Sequence, residues 1–194
     1  VSVPLDFTRR SGPAGPVANS GNVDVTLKVK GWNLGDAARA AGQAFPVRGT
    51  MDADVKISGT LLNPSADIAV SLQKVSSPDV KQKLVPADAT VKVTLKDRKL
   101  AANVEVTQKP LQTLRASASL PLDVPKLLQN PDSLKTAPLE ASATLPDSDL
   151  NGLKQFIEGV ASMKGSLGLT AKVGGTIGKP VITGEFHATA PAIA

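Results

Sequence analysis

Few residues of this 194-residue sequence have the type and the spacing that catalysis or metal binding requires. The single histidine, His187, lacks an evident local partner for general base chemistry. Asp52 and Asp54 share one face of a predicted strand, where a solvated surface is expected rather than a catalytic pair. The glycine-rich stretch 174–180 ends in Pro180 where a phosphate-binding loop has serine or threonine, and no helix is predicted after it. We therefore expect no enzyme activity, no catalytic residue, no bound metal and no cofactor.

The second pattern with a chemical meaning is apolar. Nine stretches alternate apolar and polar residues, so most of the predicted strands have one apolar and one polar face. Such alternation is typical of antiparallel sheets, because strands buried in parallel sheets are apolar on both faces. The sequence therefore predicts an all-β fold built on an amphipathic antiparallel sheet. The stretches are 23–29, 51–57, 68–72, 91–95, 102–106, 114–122, 141–145, 167–173 and 182–188.

The sequence also repeats itself, without a gap, at an offset of 116 residues. Stacked repeats build one continuous surface rather than one pocket, so we expect the function to lie in a long surface. We divide the chain into a strand and linker at 1–22, a first repeat unit with its meander at 23–122, and a second unit at 123–194 that continues the first. The shared residues Gly49, Lys56, Gly59, Thr60 and Pro64 recur as Gly165, Lys172, Gly175, Thr176 and Pro180.

Two segments switch to helical spacing, at 34–45 and at 150–160. Asn33 and Asp149 directly precede them and are placed to cap their first turns. A helix of about eleven residues is only about 16 Å long, whereas nine strands make a sheet roughly 43 Å wide. These helices cannot cover such a sheet, which must curl, pair with a second sheet or close on itself.

Turn signals separate the predicted strands. The polar link 96–99 joins two of them and predicts a hairpin. The dipeptides at 63–64 and 179–180 are predicted to break the strands, because each contains a proline that cannot donate to the ladder. Shorter helical turns are predicted to begin at Pro78 and Pro125. These connections favour a meander.

Composition limits the classes of ligand and partner. Aromatic residues make up only 3 % of the chain, which argues against a stacking platform for single-stranded nucleic acid and, more weakly, against a sugar-binding cleft. The net charge of +5 comes from interspersed signs, as on a solvated surface. There is no cysteine, which excludes disulfides and thiolate metal sites. No stretch approaches the ~18 apolar residues of a membrane span, so we expect any anchor to lie outside this sequence.

The apolar faces support two structural interpretations. In the first, they meet in the closed core of an ordinary β-sandwich, as in a surface or adhesion domain. In the second, the sheet curls incompletely and leaves an open groove. Small residues alternate with aliphatic ones at Ala116, Ala118, Ala141 and Ala143, and they leave space that a tight core would fill. That spacing favours the groove.

The order of the units carries a further signal. Segments 49–72 and 165–188 each contain a glycine, an alternating strand, Gly-Thr-x-x-x-Pro and a second alternating strand. The alternation at 114–122 ends in Leu-Pro-Leu, and the strand at 138–145 is followed by the predicted helix. Over roughly residues 23–193 this succession resembles the TamB/AsmA-like family of bacterial envelope proteins.

The resemblance implies a fold and a role. Members of this family form a long curled antiparallel sheet, a U-shaped or taco-shaped β-groove with a hydrophobic interior, here with short helical crossovers. The resemblance therefore implies a periplasmic segment of an inner-membrane-anchored protein in a Gram-negative-type bacterium. It implies that this segment carries phospholipid between the inner and outer membranes. It also implies an outer-membrane β-barrel partner of the TamA/BamA type, with membrane contact through regions outside this sequence and no nucleic-acid partner.

We expect phospholipid acyl chains to lie on the apolar phase of the strands. The alternative is a non-catalytic scaffold that assists outer-membrane protein or autotransporter assembly by pairing its strand edges with another chain. The scaffold predicts peptide binding and indifference to lipid, whereas the groove predicts that a charge at Val55 or Leu169 blocks transfer. The predicted groove lining is Val25, Leu27, Met51, Val55, Ile57, Val70, Val93, Val104, Leu120, Leu167, Leu169, Val173 and Phe186.

Overall fold

Alternating sequence becomes strand in all nine predicted stretches. The computed structural model describes residues 22–40, 42, 47–60, 62–76, 85–150, 163–189 and 192–193. Its strands are β1 (Asn22–Asn33), β2 (Arg48–Thr60), β3 (Asn63–Ser76), β4 (Ala87–Lys96), β5 (Lys99–Thr107), β6 (Leu114–Pro121), β7 (Glu140–Asp149), β8 (Met163–Lys164), β9 (Ser166–Thr176), β10 (Lys179–Ala188) and β11 (Ala192–Ile193).

Nine of these strands form one antiparallel sheet in the order β1-β2-β3-β4-β5-β6-β7-β9-β10. Each strand pairs with the sheet strand before and after it along the chain, so the sheet is a meander and is not closed into a barrel. This confirms the predicted all-β antiparallel fold. The two-residue strands β8 and β11 pair with each other and were not predicted from the sequence.

Some predictions lie outside the described residues. They are the strand and linker at 1–22 apart from Asn22, the helix at 150–160 apart from Leu150, and the helical turn at Pro78. Asp149, the predicted cap of that helix, is the last residue of β7 and pairs with Ser166.

The described helices lie in connections at the sheet ends. Helix α1 (Leu34–Ala40) links β1 to β2, and the Asn33 side chain caps it by accepting the N–H of Gly35 at 2.8 Å. Helix α2 (Val124–Gln129) follows β6, with the Asp123 side chain accepting from the N–H of Lys126. A 3₁₀ helix (Pro131–Thr136) then leads towards β7. Helix α1 begins at the predicted residue, Leu34, and α2 begins at Val124, one residue before the predicted Pro125. At both starts a side-chain oxygen satisfies an otherwise free N–H group.

The predicted hairpin at 96–99 is confirmed. Asp97 and Arg98 form a two-residue turn between β4 and β5, with φ angles of 50° and 58°. Positive φ at both positions is what a type I′ hairpin requires, because its twist matches that of the strands.

The strand breaks predicted at 63–64 and 179–180 are wrong. Pro64 and Pro180 are the second residues of β3 and β10, where they pair with Gly59 and Gly175. The chain turns before each dipeptide, not at it. A proline near the start of a strand removes one donor without interrupting the rest of the ladder.

The sheet is a single layer over the described residues. Only Ser148 and Gly168 are buried among them, and the long aliphatic side chains of the sheet are half-buried or exposed. A closed sandwich core would bury such side chains between two sheets. The described residues therefore form an open amphipathic sheet and not the alternative sandwich.

Candidate binding surface

Strand register assigns the side chains to the two faces of the sheet. Residues directly opposite each other on neighbouring strands share a face. One cross-strand row consists of Leu27, Val55, Ile68, Val93, Ala102, Ala118, Ala141, Val173 and Ile182. The next row consists of Val29, Ala53, Val70, Val91, Val104, Ala116, Ala143, Ala171 and Gly184.

Both rows cross all nine strands without a polar side chain. We call the surface that they share the apolar face. Flanking pairs extend it towards the strand ends, among them Leu100 with Leu120 and Leu169 with Phe186. The face is therefore continuous from one edge of the sheet to the other.

The register brings all thirteen predicted lining residues to the apolar face. Six of them belong to the two complete rows, and the other seven lie in the flanking rows of the same face. Their contact with lipid stays a prediction. The prediction omitted Ile68, Val91, Leu95, Leu100 and Ile182, although each has the same alternation phase as its listed neighbours.

The apolar face is open to solvent most strongly at its two edges. On β10, Ile182 is 71 % exposed and Phe186 is 66 % exposed. On β1, Val25 and Leu27 are exposed, and Trp32 lies opposite Met51 with 40 % of its surface exposed. A contiguous exposed apolar surface of this kind usually marks a site for a ligand, a membrane or another protein.

The side chains of the apolar face are smallest between β5 and β9, and we call the height to which they project from the backbone the floor of the face. Alanines occupy most row positions there, whereas valine, leucine and isoleucine occupy most of them on β1 to β4. Ala102, Ala116, Ala118, Ala141 and Ala171 line a depression of about 260 Å³. Small side chains thus create room on a backbone that is otherwise uniform.

The opposite face is polar and carries cross-strand ion pairs. Lys28 Nζ lies 3.4 Å from Asp54 Oδ2, and Arg115 Nε lies 3.2 Å from Glu105 Oε1. Exposed pairs of this kind add little stability, but they keep this face in water and so fix which face is left for an apolar ligand. Depressions of about 440 and 340 Å³ also occur on this face. They are expected because a twisted sheet is saddle-shaped, so each of its faces is concave in one direction.

The residues first considered for catalysis have structural positions instead. Asp52 Oδ1 accepts the N–H of Gly31 at 2.6 Å, at the bulge of β1, and Asp54 pairs with Lys28. His187 is exposed on β10 opposite Gly168. The stretch 174–180 is the tip of the β9–β10 hairpin and leads into a strand, whereas a phosphate loop leads into a helix.

In the described part of the chain, no group of three or more histidine and carboxylate side chains is placed to hold a metal ion. No helix among those residues has the length and hydrophobicity needed to cross a bilayer.

Ser148 is a structural residue that sequence reasoning missed. It is fully buried at the bulge of β7, where its hydroxyl donates to the carbonyl of Pro146 and accepts the N–H of Gln112, each at 2.9 Å. The bond from Gln112 ties the connection between β5 and β6 to β7, and the bond to Pro146 is local to the bulge. No local pattern predicts a contact between residues 36 positions apart.

The chain was compared with family models, curated proteins and solved structures, and nothing matches it in any of the three. Membership of the TamB/AsmA-like family therefore stays a prediction from the sequence. The apolar face and the two edges of the sheet are the structural features that bear on function.

Proposed function

We propose that this chain is a segment of a non-catalytic, bridge-like lipid carrier, and that phospholipid acyl chains lie on its apolar face. The observation that carries the proposal is the pair of apolar rows that cross all nine strands, with no second layer above them among the described residues. In the expected setting, a protein anchored in the inner membrane, such a surface would let lipid cross the periplasm towards the outer membrane.

The energetics suit sliding rather than tight capture. Moving a methylene group from water to an apolar surface contributes about 0.8 kcal/mol. A chain that lies along the rows meets another apolar side chain at each strand, roughly every 4.8 Å. No step along the row exposes it to a polar barrier, so binding and lateral movement use the same contacts.

One end of the sheet offers a place for headgroups. The turn at 97–98 and the turn at 177–178 lie at this end, joined by the connection between β6 and β7 through the bonds Leu122 N–H to Arg98 O and Gly178 N–H to Lys135 O. Exposed Lys96, Lys99 and Lys179 lie at this end in the phase of the polar face, and exposed Lys126 lies in the connection. Their long, flexible side chains can carry the ammonium groups to the rim of the apolar face. Lysines next to a lipid surface attract anionic headgroups, each by about 1 kcal/mol, and salt weakens that attraction.

The decisive experiment compares two neighbouring positions on β9. Leu169 is on the apolar face and 36 % exposed, whereas Thr170 is exposed on the polar face. We expect Leu169→Glu to lower the transfer of a fluorescent phospholipid between donor and acceptor vesicles by about tenfold or more, because a charge against hydrocarbon costs several kcal/mol. Thr170→Glu should leave transfer unchanged.

Circular dichroism and the thermal midpoint establish that both variants fold. The same pair of substitutions is available on β2, with Val55→Glu on the apolar face and Lys56→Glu on the polar face. If a folded Leu169→Glu protein transfers lipid at the wild-type rate, lipid does not travel over this face. Mass spectrometry of lipid extracted from detergent-free protein provides an independent check.

A further inference from the structure

The two repeat units contain the same hairpin, built with the same devices. Gly59 and Gly175 both have positive φ, at +98° and +83°. The hydroxyls of Thr60 and Thr176 accept the N–H of the residue three positions on, at 3.1 and 3.2 Å. The hairpin β2–β3 therefore serves as an internal reference for the hairpin β9–β10.

The two hairpins differ in what lies beyond them. Strand β3 is paired on its outer side by β4, whereas β10 is the last strand of the sheet and no described strand pairs with its outer side. The inner side of β10 pairs with β9 over ten residues without a bulge. A long, regular edge with exposed Ile182 and Phe186 is the kind of edge to which another strand adds.

The pairing pattern identifies the free backbone groups of β10. The N–H of Thr189 donates to Ser166 O at 3.1 Å, and Lys179 and Thr176 close a two-residue hairpin. Antiparallel pairs alternate between bonded and non-bonded, so odd-numbered residues bond to β9. The even-numbered residues Ile182, Gly184, Phe186 and Ala188 therefore direct their N–H and C=O groups to the free edge.

The first unit shows which residues suit those positions. Subtracting the offset places these four residues on Ala66, Ile68, Val70 and Leu72 of β3. Their partners on β4 are Leu95, Val93, Val91 and Ala89, in that order. A strand with the pattern of β4 would therefore extend the apolar face past β10 with an aliphatic or small residue at each position.

Charge supports the same partner. Glu185 of β10 corresponds to Ala69 of β3, and Ala69 lies opposite Lys92 of β4. A strand of the β4 type would place its lysine directly opposite Glu185, and cross-strand pairs of opposite charge stabilise a sheet. The second unit thus has a matching charge that the first unit lacks.

The other edge of the sheet is protected. Strand β1 is interrupted by a bulge between Val29 and Trp32, where Gly31 has a φ of +61° and donates to Asp52. Bulges and lysines, here Lys28 and Lys30, are devices that discourage strand addition. On β10, Lys179 and Pro180 lie only at the start of the strand, so of the two edges β10 is the receptive one over residues 181–188.

We propose that the outer edge of β10 binds an antiparallel β-strand from another polypeptide, with aliphatic residues at alternate positions and a basic residue opposite Glu185. This edge site is distinct from the proposed lipid-binding surface, and a test of strand binding does not depend on whether the protein transfers lipid. It gives the strand-pairing alternative a location, an orientation and a sequence preference.

The test uses a fluorescent peptide with the sequence of β4, residues 87–96, and measures its anisotropy against the whole chain. We expect saturable binding that Ile182→Pro weakens at least tenfold, since proline removes an outward donor without touching the β9 ladder. Ile182→Ala keeps that donor and should lose less. A peptide with glutamate at the position of Lys92 should bind several-fold more weakly, and Glu185→Lys in the protein should restore its binding.

Three results would overturn the proposal. The first is no saturable binding of the peptide. The second is binding that ignores both Ile182→Pro and the charge exchange, which would place the peptide elsewhere. The third is self-association of the chain that Ile182→Pro abolishes while the peptide fails to bind, which would make a second copy the partner of this edge. The charge exchange keeps the test valid if the proline variant unfolds.

Discussion

The hairpins β2–β3 and β9–β10 have the same backbone but different floors on the apolar face. At equivalent central positions, the first has Val55 opposite Ile68 and the second has Ala171 opposite Gly184. The glycines, threonines and prolines that shape the backbone recur, whereas the side chains of the apolar face do not. The backbone of the hairpin is therefore specified by one set of residues, and the depth of the apolar face by another. Either property can be altered without the other.

The largest expected effect breaks the shared backbone. At Gly59 and Gly175 a side chain would meet a carbonyl oxygen at 2.5 and 2.6 Å, in addition to the cost of positive φ. We expect Gly59→Ala or Gly175→Ala to lower the free energy of unfolding by about 2 kcal/mol or more, measured by urea denaturation.

Gly174 provides the matched control for these variants. It is adjacent to Gly175, and a side chain there would meet no atom within 4 Å. Gly174→Ala should be close to neutral. If Gly175→Ala proved no more destabilising than Gly174→Ala, the hairpin would not depend on this glycine.

A second pair of substitutions exchanges large and small side chains between the two hairpins, and it should change stability less than the glycine substitutions. Ala171→Leu fills the depression, and we expect the affinity for a fluorescent fatty acid to fall several-fold, because bound hydrocarbon loses contact area. Val55→Ala shortens a side chain on the apolar face of the first hairpin and should lower the free energy of unfolding by about 1 kcal/mol or somewhat more. Lys172→Ala, on the polar face beside Ala171, should change neither quantity. Equal affinities of Ala171→Leu and wild type would show that the depression is not used.

The smallest expected effect concerns the turn hydroxyls. Thr60→Val and Thr176→Val each remove one hydrogen bond to a backbone N–H, and we expect losses of about 0.5–1 kcal/mol. The loss at Thr60 should be the larger, because its hairpin is paired on both sides while β10 is free on one. Chemical denaturation of the two single variants tests this order, and the reverse order would mean that the edge hairpin is the more rigid one.

The sequence predicted the fold well because alternation is a local property. Side chains alternate between faces wherever the backbone is extended, so nine strands and the apolar phase of Val55 or Leu169 follow from spacing alone. The cap at Asn33 and the first-turn position of Pro125 were predictable for the same reason, since both depend only on the first helical turn.

The features that were missed depend on distant parts of the chain. The burial of Ser148 requires the turn that contains Gln112 to fold over β7. The prolines at 64 and 180 were misassigned because a strand start and a strand break have the same local signature. The difference between the edges β1 and β10 appears only when strand order and bulges are known.

The meander has a consequence for the growth of such a molecule. Each sheet strand pairs only with the sheet strands next to it along the chain, so contacts form between neighbours and folding can spread hairpin by hairpin. Adding one hairpin would widen the sheet by roughly 10 Å and leave the pairing of the others unchanged. The width of the sheet would then increase in steps of one hairpin, so the number of such units in the sequence would set the length of the apolar face.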